Sequence, residues 1–182
     1  MELHEIIEKR RTIRVFKKKA TEEQLKKIIL AGTRAPSARN TQPWEFIIID
    51  DQKLIDQIAE RKYQLSLTVP PGAGEGPDQV KERAVGQKKS FENASAVAVC
   101  HQKGTASSAW LCIENMSLVA AAEGLGSGIV VFWGEQEKEV KKILGLPEDY
   151  ELAAVLKIGQ PGEKPSPPPK RPDFSWLHRN KF

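Results

Sequence analysis

The sequence predicts a single domain of the α+β class. Segments with helical apolar spacing are interspersed with short apolar runs of strand length. The 182 residues suffice for one well-buried core and are fewer than two domains normally need. Hydrophobic and charged fractions of 40% and 29% are ordinary for a globular chain. Because there is no sign of internal repeats or of a second domain, we expect residues 1–182 to fold as one unit.

Two helices open the chain. Apolar residues at helical spacing predict the first over residues 2–9, and it runs into a basic turn. Thr21 and Gln24 have the form of a capping box, in which each side chain bonds a free backbone N–H at the helix start. They predict a second helix that ends near residue 33.

A strand, a third helix and a loop come next. The aromatic and β-branched run Trp44–Ile49 predicts a buried strand, and Leu54, Ile55 and Ile58 mark the helix after it. Glycines and prolines punctuate residues 66–78. We therefore expect a loop there, long enough to act as a lid or a mobile connection.

Three helices and three strands are predicted in the second half of the chain. The helices are residues 79–92, 107–123 and 135–144, and the strands are residues 95–100, 129–133 and 152–158. The 107–123 helix is apolar nearly all round, which indicates burial in a core or in a subunit interface. Gly124 is predicted to end it.

The C-terminal stretch differs in kind from the rest. Six of the twelve prolines lie between Pro161 and Pro172, so residues 160–182 predict an extended Pro-rich arm that does not fold back into its own core. The arm ends in apolar residues, and we expect it to lie across another surface. These residues are Phe174, Trp176, Leu177 and Phe182.

The bulk composition narrows the possible partners. A formal net charge of +4 suits an anionic ligand such as a phosphate and is too small to argue for nucleic acid by itself. Cys100 and Cys112 are too few for a disulfide framework and lack paired metal-binding spacing. The N-terminus does not have the form of a signal peptide, and no apolar run approaches the ~20 residues of a membrane span. We expect a cytoplasmic protein.

Residues 10–16, Arg-Arg-Thr-Ile-Arg-Val-Phe, form the first candidate site. They concentrate three guanidiniums and a hydroxyl, and an Arg side chain can grip two phosphate oxygens at once. Arg10, Thr12 and Arg14 alternate, so an extended segment would point them the same way. Taken alone, the run is also consistent with a solvated basic turn.

Residues 35–44, Ala-Pro-Ser-Ala-Arg-Asn-Thr-Gln-Pro-Trp, form the second candidate site. The two prolines restrict the backbone, while Ser37, Asn40 and Gln42 supply donors and acceptors for a heteroaromatic edge. By composition alone, the string is a turn between a helix and a strand.

Other motifs favour structural roles. Gly124-Leu125-Gly126 lacks the third glycine of a dinucleotide fingerprint and follows a helix where that motif follows a strand, so helix termination is preferred. No Cys/His cluster supports Cys100-His101 as a ligand pair, so Cys100 is expected in the core. Neither a nucleophile elbow nor a Walker loop is present in the sequence, and no general acid or base is predicted.

The two candidate strings together resemble a known family. Arg-Arg-Thr-x-Arg-x-Phe, followed about twenty residues later by Ala-Pro-Ser-x-x-Asn-x-Gln-Pro-Trp, resembles the N-terminal signature of the nitroreductase family. Later strings at residues 123–127 and 159–163, and the basic pair Lys170-Arg171 in the Pro-rich tail, are also similar to that family. The likeness covers most of the chain and is weak between residues 62 and 93.

The resemblance implies a central, mainly antiparallel sheet flanked by helices. It also implies a homodimer that binds two FMN molecules at its interface and exchanges its C-terminal arms. At the phosphate, ribityl chain and pyrimidine edge of FMN, the resemblance implies Arg10, Arg11, Thr12 and Arg14, with Lys170 and Arg171 also at the phosphate. Along the ring it implies residues of the other subunit, namely Pro36, Ser37 and Ala38, with Asn40 and Gln42 from the same string. It also implies the backbone of Val131 and Phe132 at flavin N5, and Gln87 facing the ring.

The implied activity is hydride transfer from NAD(P)H to a small electrophile, such as a nitroaromatic or a quinone, with ping-pong kinetics. Thr12 replaces the usual Ser and keeps its hydroxyl. Val131 and Phe132 stand where the family often has an acidic residue and a Gly, so substrate preference does not carry over. Two alternatives stay open: a specialised member that consumes reduced flavin or dehydrogenates a heterocycle, and a non-catalytic module that binds nucleic acid or another anion.

Overall fold

The computed structural model describes residues 2–167 and 172–181, which contain six α-helices and five β-strands. In chain order these are α1 (Leu3–Lys9), β1 (Phe16–Lys19), α2 (Glu22–Gly32), β2 (Trp44–Ile49), α3 (Gln52–Thr68), α4 (Pro77–Lys89), β3 (Ser95–Gln102), α5 (Ala106–Ala122), β4 (Gly126–Val130), α6 (Gly134–Ile143) and β5 (Tyr150–Pro161). A 3₁₀ turn, Ala38–Asn40, lies between α2 and β2. The six predicted helices and four predicted strands each have a counterpart, and the capping box of Thr21 and Gln24 begins α2 as predicted.

The five described strands form one sheet. Their order is β1-β5-β3-β2, and β4 also pairs with β5. Each of these pairings is antiparallel. The long strand β5 is therefore the centre of the sheet, because it contacts β1, β3 and β4. The predicted α+β architecture with an antiparallel sheet is confirmed.

Helices cover both faces of the sheet. Successive strand residues point to opposite faces, so β3 contributes to two separate cores. Val97 and Val99 pack in a cluster that α2 and α5 complete, whereas Ala96 and Ala98 pack in a cluster that α3 and α6 complete. Burying a valine side chain completely contributes roughly 1.5–3 kcal/mol. The sheet is thus the middle layer of three.

The loop predicted over residues 66–78 is shorter than expected. Helix α3 continues to Thr68, because Leu65 is buried in the cluster beneath it and holds the last turns in place. Helix α4 begins at Pro77, whose missing N–H is tolerated at the first helical position. The connection is therefore residues 69–76, and its role as a lid stays a prediction.

Strand β4 begins three residues before the predicted strand 129–133 and ends at Val130, so that prediction is wrong at both ends. Gly124, with φ of 74°, does end α5 as predicted. The glycines that follow it, Gly126 and Gly128, belong to the strand. These glycines carry no apolar side chains, so the sequence does not show that they belong to a strand. The candidate site described below explains why both positions need glycine.

Two edge strands depart from the predicted pattern. Strand β1 is not predicted, because three lysines follow Phe16 and only Phe16 is buried. Strand β2 has the predicted bounds, but it lies at the end of the sheet with Glu45 and Ile48 exposed, so its prediction as a buried strand is wrong. An edge strand has a neighbour on one side only.

Helix α5 is buried along one side. Cys112 and Met116 are fully buried, whereas Trp110 and Leu111 on the other side are 41% and 49% exposed. The predicted core role is confirmed, and the predicted interface role stays a prediction. Neither α5 nor any other helix in the described part of the chain has the length and apolar character needed to cross a bilayer.

Candidate functional site

The basic segment, residues 10–16, lies against β4. Helix α1 ends at Lys9 with Arg10 as its C-cap, and the chain then extends so that the Ile13 N–H donates to the Ser127 carbonyl at 2.9 Å. Thr12 also forms an isolated parallel bridge with Ser127. Ile13 is buried while Thr12 and Arg14 are exposed. The predicted alternation is therefore present: Ile13 anchors the segment, and its neighbours face outward.

Glycines in β4 permit this close approach. A Cβ atom added to Gly128 would lie 2.5 Å from the Ile13 carbonyl oxygen, and one added to Gly126 would lie 2.5 Å from Ile13 Cγ1. Real Cβ atoms essentially never come within 3.0 Å of such neighbours. The two glycines are therefore needed to seat the basic segment on the strand.

A cleft of about 480 Å³ opens beside the basic segment, and we call it the basic cleft. Its lining consists of Ile7, Glu8, Arg10, Arg11, Thr12, Arg14, Pro165 and Ser166. Arg11 Nη1 donates to the carbonyl oxygens of Glu8 and Arg10 at 2.6 and 2.7 Å, and Arg10 Nε lies 4.0 Å from Glu114 Oε1. A guanidinium carries five N–H donors, so these contacts leave donors for an anion.

Glu163 joins the start of the C-terminal arm to the basic segment. Its Oε1 accepts hydrogen bonds from the backbone nitrogens of Arg14 and Val15 at 2.5 and 3.1 Å. The Gly162 N–H donates to the Val15 carbonyl at 2.8 Å. This junction brings residues 165–166 to the basic cleft. In the sequence, Glu163 is only one residue of a family-like string, and nothing there predicts this role.

Gln87 lies near the basic segment. Arg14 and Gln87 both line a second cleft of about 680 Å³, which α4 borders. Gln87 is half-buried there. The two predicted residues are thus brought together, whereas the role of Gln87 toward a cofactor stays a prediction.

The string at residues 35–44 forms a tight turn between α2 and β2. Ser37 precedes the 3₁₀ turn, and its Oγ accepts a hydrogen bond from the Gln42 backbone N–H at 3.0 Å. Three residues have left-handed backbones, with φ of 53° at Arg39, 54° at Asn40 and 47° at Gln42. Such conformations cost non-glycine residues roughly 1–3 kcal/mol each.

This turn stands apart from the basic segment within one chain. Its exposed residues are Pro36, Ala38, Arg39, Asn40, Thr41 and Gln42. In the described part of the chain, no residue of 36–42 lines either cleft to which Arg14 contributes. The two candidate strings therefore do not share a cleft in a single subunit.

Val131 and Phe132 follow β4 directly, and Lys62 of α3 contacts both. Phe132 is buried, and the Lys62 amine donates to the Val131 carbonyl at 3.3 Å. The same amine lies 6.0 Å from the Phe132 ring centroid and 5.4 Å from that of Trp133, which is exposed. Burial lowers the pKa of Lys62. Lys62 was not predicted from the sequence, because a lysine on an amphipathic helix resembles a solvated one.

Lys157 is a second amine that was not predicted from the sequence. It lies in β5 with only 2% of its surface exposed, and its Nζ donates to Ser90 Oγ. Nζ also lies 5.3 Å from the Phe91 ring centroid. Burial, and after it the nearby cations Arg14 and Lys62, lower the pKa of Lys157 to about 7. A lysine at one position of an apolar strand gives no sequence signal of such surroundings.

The basic pair Lys170 and Arg171 lies outside the described residues, so its predicted position at the phosphate stays a prediction. Residues 172–181 are exposed along their length. The rings of Phe174 and Trp176 stand 5.9 Å apart between centroids, with 69% and 53% of each residue exposed. The expected contact of these apolar side chains with another surface stays a prediction.

The two cysteines lie in the hydrophobic core. Cys100 and Cys112 are buried, and burial raises the pKa of their thiols to about 11 and about 12. A thiol that stays protonated at neutral pH is a poor nucleophile and a poor metal ligand. The prediction that Cys100 belongs to the core is confirmed.

Comparison with known proteins identifies the family. The family model described as Nitroreductase family matches residues 7–160, which include the basic segment, the 35–44 string and all of β5 but its last residue. The chain belongs to the nitroreductase family of enzymes.

Individual relatives align over nearly the whole chain. The iodotyrosine deiodinase of Thermotoga neapolitana is 30% identical over 177 residues, which cover 93% of this chain and 92% of the relative. An NADH dehydrogenase of Thermus thermophilus is 28% identical over 190 residues, covering 90% and 89%. A crystal structure of oxidised iodotyrosine deiodinase bound to FMN and 3-iodo-L-tyrosine superposes with a TM-score of 0.75 at 27% identity and covers 100% of both chains.

Proposed function

We propose that this chain is an FMN-dependent oxidoreductase that passes hydride from NAD(P)H to a small electrophilic acceptor, such as a nitroaromatic or a quinone. The observation that carries the proposal is the basic cleft, which Arg10, Arg11, Thr12 and Arg14 line together. Family membership and the FMN-bound relative favour FMN over other anions of similar charge.

The residues of the basic cleft fit the phosphate end of FMN. Guanidinium N–H groups form charge-assisted hydrogen bonds to phosphate oxygens, often in pairs. Thr12 adds a hydroxyl that both donates and accepts, which suits a polyhydroxyl chain. Because Gly126 and Gly128 carry no side chains, the segment that presents these donors packs directly on the sheet and is held rigidly.

When bound, FMN supplies the redox chemistry, since it accepts hydride from a reduced nicotinamide and gives hydride to the acceptor. The protein binds FMN, orients it and shields it from solvent. In our proposal Arg10 and Arg11 hold the phosphate, Thr12 holds the ribityl chain, and Arg14 places positive charge at the pyrimidine edge. Positive charge there stabilises negative charge that develops on the reduced ring.

We further propose that the backbone of Val131 and Phe132 lies at the redox-active edge of the ring. The Lys62 amine, through its 3.3 Å hydrogen bond to the Val131 carbonyl, fixes the backbone at this place. Gln87, which shares a cleft with Arg14, is proposed to face the ring. Alternate access of nicotinamide and acceptor to one open position would give ping-pong kinetics.

The working unit in this proposal is a homodimer with FMN between its subunits. Two exposed apolar surfaces support an interface: the outer side of α5 with Trp110 and Leu111, and the end of the arm at residues 174–177. The turn at residues 36–42 is mostly exposed and lines neither cleft of its own basic segment, so we assign it to the ring bound to the partner. Exchange of the arms would bring Lys170 and Arg171 to a phosphate.

A flavin spectrum followed by anaerobic titration tests this function. Purified protein, or apoprotein given FMN, should show a bound flavin absorbance band that NADH or NADPH bleaches and that a nitroaromatic or quinone restores. Because a relative is named iodotyrosine deiodinase, 3-iodo-L-tyrosine belongs in the acceptor panel. A colourless protein that takes up no FMN would overturn the proposal.

The same experiment separates the alternatives. A specialised member that consumes reduced flavin or dehydrogenates a heterocycle would bind FMN but show no steady-state reduction by either nicotinamide. A non-catalytic module would bind no flavin and would bind DNA or RNA with a steep dependence on salt concentration.

A further inference from the structure

The sheet buries an ionisable side chain for which the proposed hydride transfer has no use. Lys157 extends from β5 and is 2% exposed. Within residues 2–167 and 172–181, its amine has one hydrogen-bond partner, Ser90 Oγ, and no carboxylate within salt-bridge distance. An ammonium buried without a counter-ion is strongly disfavoured. The position therefore favours the neutral amine.

The amine lies directly behind the basic segment. A Cβ atom on Gly128 would lie 2.5 Å from the Ile13 carbonyl oxygen and 3.6 Å from Lys157 Nζ. The Lys157 amine and the carbonyl oxygen of the residue that separates Thr12 from Arg14 therefore border the same point beside Gly128, where that residue has no side chain. An anion bound at those two side chains would be close enough to act on the charge of Lys157 through a medium of low dielectric constant.

The charged groups around the amine come from several elements. Burial is the largest cause that disfavours its protonation, Arg14 before β1 and Lys62 of α3 act in the same direction, and Glu163 after β5 favours protonation. Ser90 and Phe91, at the end of α4, supply a hydroxyl and an aromatic face. The net result is a pKa of about 7, so small changes in nearby charge move the amine between its two states at neutral pH.

We propose that Lys157 is the proton-binding group of the cofactor site: when an anionic cofactor binds beside Thr12 and Arg14, the amine lone pair takes a proton from solvent. The resulting ammonium sits behind the cofactor and compensates its negative charge. This inference rests on the proposed function, because it takes FMN as the anion. Thermodynamic linkage then requires that the affinity for FMN fall as pH rises above 7.

Lys62 does not serve the same purpose. It is half-buried, and its amine already contacts a carbonyl oxygen and two aromatic faces. These groups stabilise a cation in the absence of any ligand. Among the described residues, Lys157 contacts a hydroxyl and one ring, so an incoming anion changes its surroundings more.

Calorimetric titration of FMN into apoprotein tests the proposal. At about pH 8, where the FMN phosphate is already a dianion, titrations in two buffers of different ionisation enthalpy give the number of protons taken up. The wild-type protein should take up most of one proton per FMN, and Lys157→Met should take up close to none. The wild-type dissociation constant should rise by up to about ten-fold per pH unit above pH 7, while that of Lys157→Met stays nearly flat.

Two further variants serve as controls for this test. Lys17→Met removes an exposed amine from β1 and should take up protons as wild type does. Lys157→Gln removes the amine but keeps a polar group for Ser90, and should behave like Lys157→Met. An NMR titration of isotope-labelled lysine in the apoprotein reads the pKa of Lys157 directly, and it should lie near 7 and rise when FMN is added.

The outcomes separate this inference from the proposed function. If FMN binds tightly and proton uptake is equal in wild type and Lys157→Met, the inference is wrong and the proposed function stands. If no FMN binds, both fail. Flat pH dependence of the wild-type affinity, or a Lys157 pKa that FMN leaves unchanged, also overturns the inference.

Discussion

Glu163 Oε1 accepts a hydrogen bond from the Arg14 backbone nitrogen at 2.5 Å, although 149 positions separate the two residues in the chain. The contact joins the extension of β5 to the segment that follows α1. Both ends of the sequence thereby build one cleft, because the arm contributes Pro165 and Ser166 to a lining that otherwise comes from residues 7–14. The position of the guanidiniums thus depends on a carboxylate that need not touch any ligand.

Removing this carboxylate should loosen the junction. In Glu163→Ala the N–H groups of Arg14 and Val15 lose their acceptor, which we expect to cost about 1–2 kcal/mol. Hydrogen exchange at these two amides should accelerate relative to wild type, while exchange in the core strand at Val97 stays the same. Glu163→Gln, which keeps a carbonyl oxygen, should lie between the two. Unchanged exchange at residues 14 and 15 in Glu163→Ala would show that the bond does not hold the segment.

Filling the space at Gly128 should lift the basic segment off β4. Gly128→Ala would place its Cβ atom 2.5 Å from the Ile13 carbonyl, so the backbone must move. We expect a loss of about 1–3 kcal/mol in the free energy of unfolding, measured by urea denaturation, together with weaker FMN binding.

Gly86→Ala is the matched control for that change. Gly86 lies inside α4, and a Cβ atom there would meet nothing within 4 Å. Alanine favours helix over glycine, so this variant should gain about 0.5–1 kcal/mol. Equal stability of Gly128→Ala and wild type would argue against the close seating of the basic segment.

The arm should matter to the dimer as well as to the cofactor. Deleting residues 165–182 removes the exposed apolar residues at 174–177 and the basic pair at 170–171, but keeps Glu163 and the junction it makes. Light scattering should show a shift from dimer toward monomer, and FMN should be retained less well. An unaltered dimer would mean that each arm stays on its own subunit.

The buried amine should make stability depend on pH. An unfolded lysine keeps its proton up to a pKa near 10.4, whereas folded Lys157 releases its proton at a pKa of about 7. Its contribution to stability is therefore fully present above about pH 10.4 and is lost as pH falls to about 7. Lys157→Met escapes this loss, and at pH 7 it should be more stable than wild type by on the order of 3–5 kcal/mol.

Urea unfolding at pH 7 and at about pH 9.5 measures this effect. The advantage of Lys157→Met should be much smaller at the higher pH, since wild type has by then recovered most of the loss. Ser90 stays satisfied in the variant, because its Oγ also donates to the Gln87 carbonyl at 2.6 Å. Lys17→Met, on the exposed side of β1, should track wild type at both pH values. A stability difference that does not change with pH would contradict a buried, titrating Lys157.

Much of this architecture could be predicted from local patterns. Capping and apolar spacing placed α2 within a residue, and the aromatic and β-branched run at Trp44–Ile49 placed β2 to the residue. Local sequence patterns fail to predict secondary structure where tertiary contacts determine it. Gly126 and Gly128 are strand residues because Ile13 packs on them, and no local sequence feature says so. The three lysines of β1 hide a strand that forms only because β5 offers it an edge.

The candidate site also contains residues that the sequence predicts and residues that it does not. The basic segment was predictable because its residue types carry their chemistry in the sequence, and the structure gathers them around one cleft. Glu163 and Lys157 were not, since their roles come from contacts across long separations: one with Arg14 and the other with Ser90. A charged residue in a strand or a loop reveals its partner only when the fold is known.

The affinity ratio of FMN to riboflavin tests the central claim most directly, because the two ligands differ only in the phosphate. We predict that wild type prefers FMN, and that Arg10→Ala weakens FMN binding by roughly 10–100-fold, or about 1.5–3 kcal/mol, while riboflavin binding hardly changes. Arg34→Ala, an exposed guanidinium outside the basic cleft, should leave both affinities as they are. Equal affinity of wild type for FMN and riboflavin would contradict the assignment of the basic segment to the phosphate.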